Sequence, residues 1–201
     1  MAYEHAIVLT GSIGTGKSTV SSMLQKQGFE VIDADKISKE ILPLHAQEVG
    51  ELFGGAVLHE GEIDRKALGA IIFNDKKERE KLNQLMSPLI RAEILRRSAL
   101  LEAKKRPYII DIPLYFESEG YDARVVVVVY APVEVQRKRL MMRENFSKEE
   151  AQKRIDAQIS IEEKKVLADF LINNSFDTKF LESEIEKFIK FVRGKYADCK
   201  I

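Results

Sequence analysis

The feature that most constrains this chain is a glycine-rich segment close to its N-terminus. Residues 11–18 read GSIGTGKS and match the pattern G-x-x-x-x-G-K-[ST]. An apolar run at residues 6–9 precedes the segment, and Val20, Met23 and Leu24 follow it at helical spacing. The sequence therefore predicts a strand, a glycine loop and a helix, which is the setting in which this pattern binds phosphate.

Each residue type in the loop can contribute to binding a nucleoside triphosphate. Glycines let successive backbone N–H groups converge on phosphate oxygens, and the helix N-terminus adds about half a positive charge. We expect Lys17 to reach the β- and γ-phosphates and the Ser18 hydroxyl to ligate Mg²⁺, so the expected cofactors are ATP and Mg²⁺. A turn that only joined strand to helix would need neither side chain. The predicted nucleotide contacts are Gly11, Ser12, Ile13, Gly14, Thr15, Gly16, Lys17, Ser18 and Thr19.

Four further apolar runs predict the rest of a sheet. They lie at residues 29–32, 108–112, 125–130 and 170–172, with helical stretches between them. The runs at 108–112 and 125–130 are apolar throughout rather than alternating, as in parallel strands that are covered on both faces. The pattern predicts an α/β protein with five strands in a parallel sheet and ligands at the carboxyl ends of those strands.

Two long segments interrupt this pattern. Residues 35–105 are largely helical and too long for a simple crossover, so we interpret them as an inserted substrate-binding subdomain. Within them a buried stripe is predicted through Ile94 and Leu95, with an interruption at Pro88. Residues 135–165 are rich in Arg and Lys and are predicted to form a mobile lid. The core of this single kinase-type domain is then residues 1–34, 106–134 and 166–201.

The charge balance and the single cysteine exclude several classes of protein. Thirty-two basic residues balance thirty-two acidic ones, so no overall positive field draws the chain to nucleic acid or an anionic membrane. Cys199 is the only cysteine, which excludes an internal disulfide and fits a reducing compartment. The longest apolar run is far below the ~20 residues of a membrane-spanning helix. We expect a cytoplasmic monomer without nucleic-acid or membrane partners.

Two carboxylates at predicted strand ends are candidates for the chemistry. Asp33 follows the second strand, where it could accept or orient the proton of an acceptor hydroxyl. Capping the next helix is the alternative role, although Asp35 suits that role better by position. Asp111 ends the third strand and could hold Mg²⁺ through water, or it could cap the strand end.

Arg139 and Arg143 are four residues apart on a predicted helix of the lid and project from the same face. Such pairs often form a solvated surface. Here they follow the fourth strand, where kinases of this build place a lid, so clamping of phosphates is an equal possibility.

The guanine-reading pattern [NT]-K-x-D and the switch pattern D-x-x-G are both absent from the sequence, which disfavours a GTPase. A small-molecule kinase remains, in which positioning and charge neutralisation do most of the work. The alternative from another class is a non-catalytic protein that binds ATP and changes its affinity for a partner.

With these residues in place, the chain resembles the dephospho-CoA kinase family over residues 7–174. Residues 111–117 are similar to the family segment D-I-P-L-L-F-E, which is more diagnostic than a phosphate loop. Two departures are Ser87, where the family usually has His, and Tyr115, where it has Leu. The other similar segments are residues 9–19 (L-T-G-G-I-G-S-G-K-S-T), 33–35 (D-A-D), 63–65 (L-D-R), 139–143 (R-L-x-x-R), 154–158 (R-I-x-x-Q) and 168–174.

The resemblance implies a nucleoside-monophosphate-kinase-like fold with a CoA subdomain and a lid. It implies phosphorylation of the ribose 3′-hydroxyl of dephospho-CoA by ATP, the last step of coenzyme A synthesis. Arg139 and Arg143 would contact ATP phosphates, and Asn174 would lie near the adenine of ATP. Asp33 would be the catalytic base. A nucleoside or nucleoside-monophosphate kinase of the same fold is the alternative. The implied acceptor contacts are Asp33, Asp35, Arg65, Leu114, Phe116 and Glu117.

Overall fold

Five parallel strands in the order β2-β5-β1-β6-β7 form the main sheet, as predicted, and an antiparallel pair, β3-β4, was not predicted. The computed structural model describes residues 3–118, 120–121 and 123–197, with the side chain of Asn74 also left out, so Cys199 lies outside the described residues. The strands are β1 (Ala6–Gly11), β2 (Val31–Asp33), β3 (Leu58–His59), β4 (Glu62–Ile63), β5 (Tyr108–Asp111), β6 (Val125–Tyr130) and β7 (Phe170–Asn173).

Helices connect the strands of the main sheet and also make up most of the two long segments. Short 3₁₀ helices lie at Leu42–His45 and Gly55–Val57. The α-helices are α1 (Lys17–Lys26), α2 (Ala34–Ile41), α3 (Ala46–Phe53), α4 (Arg65–Asn74), α5 (Lys76–Glu102), α6 (Val133–Glu144), α7 (Lys148–Asp156), α8 (Ile161–Val166) and α9 (Thr178–Lys195).

The core of the main sheet follows from its apolar strands. Val125 to Val129 of β6 are all buried, because an uninterrupted apolar strand can be covered on both faces. Leu24 of α1 and Phe188 of α9 are completely buried in the same cluster as Val127. From Phe180 onward the sequence carries apolar residues at helical spacing, which predicts an amphipathic helix, and the burial of Phe188 in α9 confirms it. Helix α1 is likewise held against the sheet, directly after the glycine loop.

The chain divides into two compact units, and the sheet belongs to the first, which runs to Asp33 and resumes at Arg97. The second unit is Ala34–Arg96. It has its own apolar cluster around Val49, Val57 and Leu68.

Three local predictions in the second unit are wrong. Helix α5 is not interrupted at Pro88, because one missing N–H group breaks one bond in a helix of 27 residues. Leu95 is 45% exposed, since it lies about 100° around the helix from the buried Ile94. Asp35 is not a helix N-cap, because β2 passes directly into α2 at Ala34 and Asp35 falls within the first turn.

Within the part of the chain that the structure describes, no helix combines the length and the apolar character needed to cross a bilayer.

Replacing Leu24 by alanine should lower the free energy of unfolding by about 2–5 kcal/mol, because it leaves a cavity in the core. Leu100→Ala is the matched control, since this side chain is 61% exposed and should change stability by only about 0.5 kcal/mol. Urea denaturation followed by circular dichroism measures both. Equal losses in the two variants would contradict the packing described for α1.

Candidate functional site

The glycine loop between β1 and α1 has a backbone that only glycine suits at two positions. Gly14 and Gly16 have φ angles of 79° and 84°, in the left-handed region that side chains rarely adopt. A Cβ atom on Gly14 would lie 2.8 Å from the backbone oxygen of Gln136, and one on Gly16 would lie 2.2 Å from Asn174 Nδ2. The glycines of the sequence pattern are therefore required by close approach as well as by conformation.

Side chains from distant parts of the sequence hold this loop. Asn174 Nδ2 donates a hydrogen bond of 2.8 Å to the carbonyl oxygen of Thr15. Arg139 Nη1 donates to the carbonyl oxygens of Gly14 and Thr15 at 3.4 and 3.2 Å, and its Nη2 donates to Asn174 O at 2.8 Å. Burial lowers the pKa of the Arg139 guanidinium, a group that is effectively always protonated in proteins. A positive charge therefore lies directly beside the loop.

Arg143 lies one turn further along α6 than Arg139. Its side chain is 63% exposed and forms an ion pair of 2.7 Å with Glu144. In this structure Arg139 contacts the loop backbone, whereas Arg143 remains at the surface and could move towards a ligand.

A cation and two carboxylates meet at the carboxyl edge of the sheet. Lys17 Nζ forms an ion pair with Asp111 Oδ1, and the Asp111 side chain is only 6% exposed. Asp33 at the end of β2 is in register with Asp111 at the end of β5, so the two residues are direct neighbours on adjacent strands. Burial raises the pKa of the Asp111 carboxyl, with Lys17 acting against the rise and Asp33 adding to it. The structure therefore brings Asp33, Asp111 and Lys17 together at this edge of the sheet.

The residues present fit a phosphate and a magnesium ion. Mg²⁺ prefers oxygen ligands and usually takes only one or two from side chains beside phosphate groups. The Ser18 hydroxyl at the exposed start of α1 and the Asp111 carboxylate are of that kind. The Ser12 hydroxyl is buried and has no hydrogen-bond partner among the described residues, so a ligand or water has to satisfy it.

A cavity of about 610 Å³ opens beside the loop, a size typical of small-molecule sites. Asn174, Arg139 and Arg143, which the sequence analysis named, are among its lining residues. The sequence analysis did not name the other residues that line the cavity. Those after β7 could have been predicted, because ligands bind at the carboxyl edge of such sheets. The missed lining residues are Leu140, Met142, Phe176, Asp177, Thr178 and Leu181.

The segment after β5, residues 112–118, carries three of the predicted acceptor contacts. Leu114 is 42% exposed, and the ring of Phe116 packs edge-on against Tyr115 with 5.2 Å between centroids. The Tyr115 hydroxyl donates to Tyr121 O at 3.3 Å, which satisfies the group that replaces the family's usual leucine. Glu117 Oε1 accepts a hydrogen bond of 3.1 Å from Ile159 N, so its carboxylate is bound to the turn that follows α7.

Two further predicted acceptor contacts lie in the second unit. Asp35 is in the first turn of α2. Arg65 begins α4, which is capped by the Asp64 side chain, and its Nη2 lies 3.5 Å from Lys39 O. Ser87, which stands where the family usually has His, lies within α5.

A glycine loop that joins the central strand of a five-stranded parallel sheet to a helix, with a lysine that contacts a strand-end carboxylate, defines the class of P-loop kinases. Comparison with known proteins gives the family. The family model described as dephospho-CoA kinase matches residues 5–179. The chain belongs to the dephospho-CoA kinase family.

Individual relatives are similar in sequence to this protein over nearly the whole chain. Dephospho-CoA kinase of Sulfurimonas denitrificans is 46% identical over 200 residues, which is 100% of both proteins. The protein of the same name from Wolinella succinogenes is 46% identical over 96% of this chain and 97% of its own. The solved structure of dephospho-CoA kinase from Campylobacter jejuni aligns with a TM-score of 0.75 at 37% identity, covering 95% of this chain and 98% of that one.

Replacing Gly16 by alanine should weaken ATP binding at least about tenfold, because the new Cβ would collide with the Asn174 amide and distort the loop. Gly28→Ala is the matched control, since its φ of 92° is equally positive but nothing lies within 4 Å of the new atom. It should strain the backbone without changing ATP affinity. Titration with a fluorescent ATP analogue measures both, and unchanged affinity in Gly16→Ala would contradict this account of the loop.

Proposed function

We propose that this protein transfers the γ-phosphoryl group of ATP to the ribose 3′-hydroxyl of dephospho-CoA, giving coenzyme A and ADP as the last step of coenzyme A synthesis. The observation that carries the proposal is the alignment of Asp33 beside Asp111, which in turn contacts Lys17 of the phosphate loop. Membership of the dephospho-CoA kinase family supports the choice of acceptor.

The nucleotide would bind along the loop. Backbone N–H groups of the loop other than that of Ile13, together with the N-terminus of α1, would hold its phosphates. The rest of the nucleotide would enter the cavity lined by Asn174 and Phe176. A volume of about 610 Å³ is large enough for a nucleoside.

Asp33 would be the base. Its carboxylate would accept the proton of the 3′-hydroxyl while that oxygen forms a bond to the γ-phosphorus. The bond between the γ-phosphorus and the oxygen that bridges it to the β-phosphorus breaks, and ADP leaves. Asp33 suits this role because it is only partly buried at the strand end, whereas Asp111 beside it is buried and paired with Lys17.

Cationic groups would offset the charge on the transferring phosphoryl group. Lys17 would reach the β- and γ-phosphates, and Arg139 lies against the loop. Arg143 would add a second guanidinium if its exposed side chain turned into the cavity that it lines. Mg²⁺, held by Ser18 and Asp111, would polarise the phosphate oxygens when bound.

The acceptor contacts that we propose follow from the chemistry of their side chains. Leu114 and Phe116 would supply an apolar wall, and Arg65 would pair with the pyrophosphate of dephospho-CoA. Asp35 would also contact the acceptor, and Glu117 would act through the segment that carries Leu114 and Phe116. We further propose that the enzyme acts as a monomer and that it works in the cytoplasm, where ATP and the acceptor are available.

The test is a coupled assay of ADP formation with dephospho-CoA, compared with a panel of nucleosides and nucleoside monophosphates. We expect turnover with dephospho-CoA and only slow hydrolysis of ATP when no acceptor is present, because water is a poorly positioned acceptor. Faster turnover with a nucleotide acceptor would make the protein a kinase for that compound. No turnover with any acceptor, together with an ATP-dependent change in affinity for a partner, would make it a binding protein.

Asp33→Asn should lower kcat by about 10²–10⁴-fold while the dissociation constant of ATP changes by only a few-fold, because the amide cannot take the proton. Asp35→Asn, two residues further on, is the comparison variant and should affect the KM for dephospho-CoA more than kcat. Steady-state kinetics and nucleotide titration give these quantities. A comparable loss of kcat and ATP affinity in Asp33→Asn would remove this residue from the role of base.

A further inference from the structure

The turn between α7 and α8, residues 157–160, is bonded to two separate loops of the site. Gln158 Oε1 accepts a hydrogen bond of 2.9 Å from the backbone N–H of Ile13 in the phosphate loop. The next residue, Ile159, donates its backbone N–H to Glu117 Oε1 at 3.1 Å. Two adjacent residues of this turn therefore contact segments that are more than ninety positions apart in the sequence.

The contact with the phosphate loop is reinforced by packing. The side chain of Ile13 packs against the apolar cluster of Leu140, Ala151 and Ile155, which joins α6 to α7. On this side the loop is therefore anchored by an apolar side chain and by one hydrogen bond to a neutral amide. A neutral acceptor suits the place, because a carboxylate here would repel the phosphates that the loop binds.

The contact with the other loop includes a buried lysine that the chemistry so far does not use. The Lys164 side chain is completely buried, and its ammonium lies 2.7 Å from Glu117 Oε1. The geometry is that of an ion pair rather than of an aligned hydrogen bond. A buried ammonium needs an opposite charge close by, so Glu117 is held in place by Lys164 and by Ile159 N together.

We propose that residues 157–160 form a strut that positions both loops of the site. Gln158 is the positioning residue for the phosphate loop, and Lys164 with Glu117 is the positioning pair for residues 112–118. Glu117 then affects the acceptor by holding the segment that carries Leu114 and Phe116, and its own carboxylate stays with Lys164. The link to the acceptor rests on the proposed function, whereas the link between Gln158 and nucleotide binding does not.

The first arm of the test replaces Gln158 by methionine, which has a similar length and cannot accept the hydrogen bond from Ile13. We expect the dissociation constant and the KM of ATP to rise about fivefold or more, while the KM of dephospho-CoA stays within about twofold. Gln152→Met on α7 is the matched control, because this side chain bonds only Arg137 and Asp156 among the described contacts and should change neither constant. An ATP affinity within twofold of the original in Gln158→Met would overturn this half of the proposal.

The second arm compares Lys164→Met with the double variant Lys164→Met/Glu117→Gln. Lys164→Met leaves the Glu117 carboxylate without its cation, so we expect the KM of dephospho-CoA to rise about tenfold with little change in ATP affinity. The double variant removes both charges and keeps an oxygen for Ile159 N, so it should recover most of the loss. An unchanged KM in Lys164→Met would show that the ion pair does not position the segment. A larger loss in the double variant would show that Glu117 contacts the acceptor directly. Either result would overturn the positioning role.

Thermal unfolding with and without ATP accompanies both arms. A variant that fails to fold shows no ATP-dependent shift of Tm. If Gln158→Met fails in this way, the conservative Gln158→Asn replaces it. That variant must still weaken ATP binding for the proposal to stand. If dephospho-CoA proves not to be the acceptor, the second arm measures the KM of the acceptor that the coupled assay identifies. The ATP affinity of Gln158→Met decides the first half independently of that result.

Discussion

The ion pair between Lys17 and Asp111 is the contact on which the site depends. Lys17 begins α1 and Asp111 ends β5, so the two meet only because β1 and β5 are neighbours in the sheet. Strand β5 also pairs with β2, which brings Asp33 beside Asp111. One cation and two carboxylates therefore share the carboxyl edge of a parallel sheet, where phosphates and an acceptor hydroxyl can be bound together.

The phosphate loop itself owes its shape to side chains that follow it by more than a hundred residues. Arg139 and Asn174 donate to its carbonyl oxygens, and Gln158 accepts from its backbone N–H at Ile13. Of these contacts, only the one with Gln158 uses a backbone N–H of the loop, and the others use its carbonyl oxygens. The side chain of Ile13 adds an apolar contact, so the rest of the chain holds the loop mainly through groups that do not bind phosphate.

Much of the fold could be predicted, because its signals are local. Apolar runs marked all five strands of the main sheet, and helical spacing marked α1 and α9. The errors arose where tertiary packing overrides a local rule. Pro88 does not break α5, and the short hairpin of β3 and β4 has too few residues to give a periodic signal. Of the site, the sequence analysis named Lys17, Asp33 and Asp111 but missed the cavity wall at Phe176 and the buried Lys164.

By itself, the sequence determined that this protein has a phosphate loop between a strand and a helix, which strand ends carry carboxylates, and which family segments are present. These are properties of neighbouring residues and need no knowledge of the whole. Only the tertiary structure decided the strand order β2-β5-β1-β6-β7, and with it which carboxylate lies beside Lys17. It also decided that Glu117 forms an ion pair with Lys164 and accepts a hydrogen bond from Ile159 N. The physical reason is that strand neighbours and buried ion pairs depend on packing between segments far apart in the chain, which no local pattern encodes.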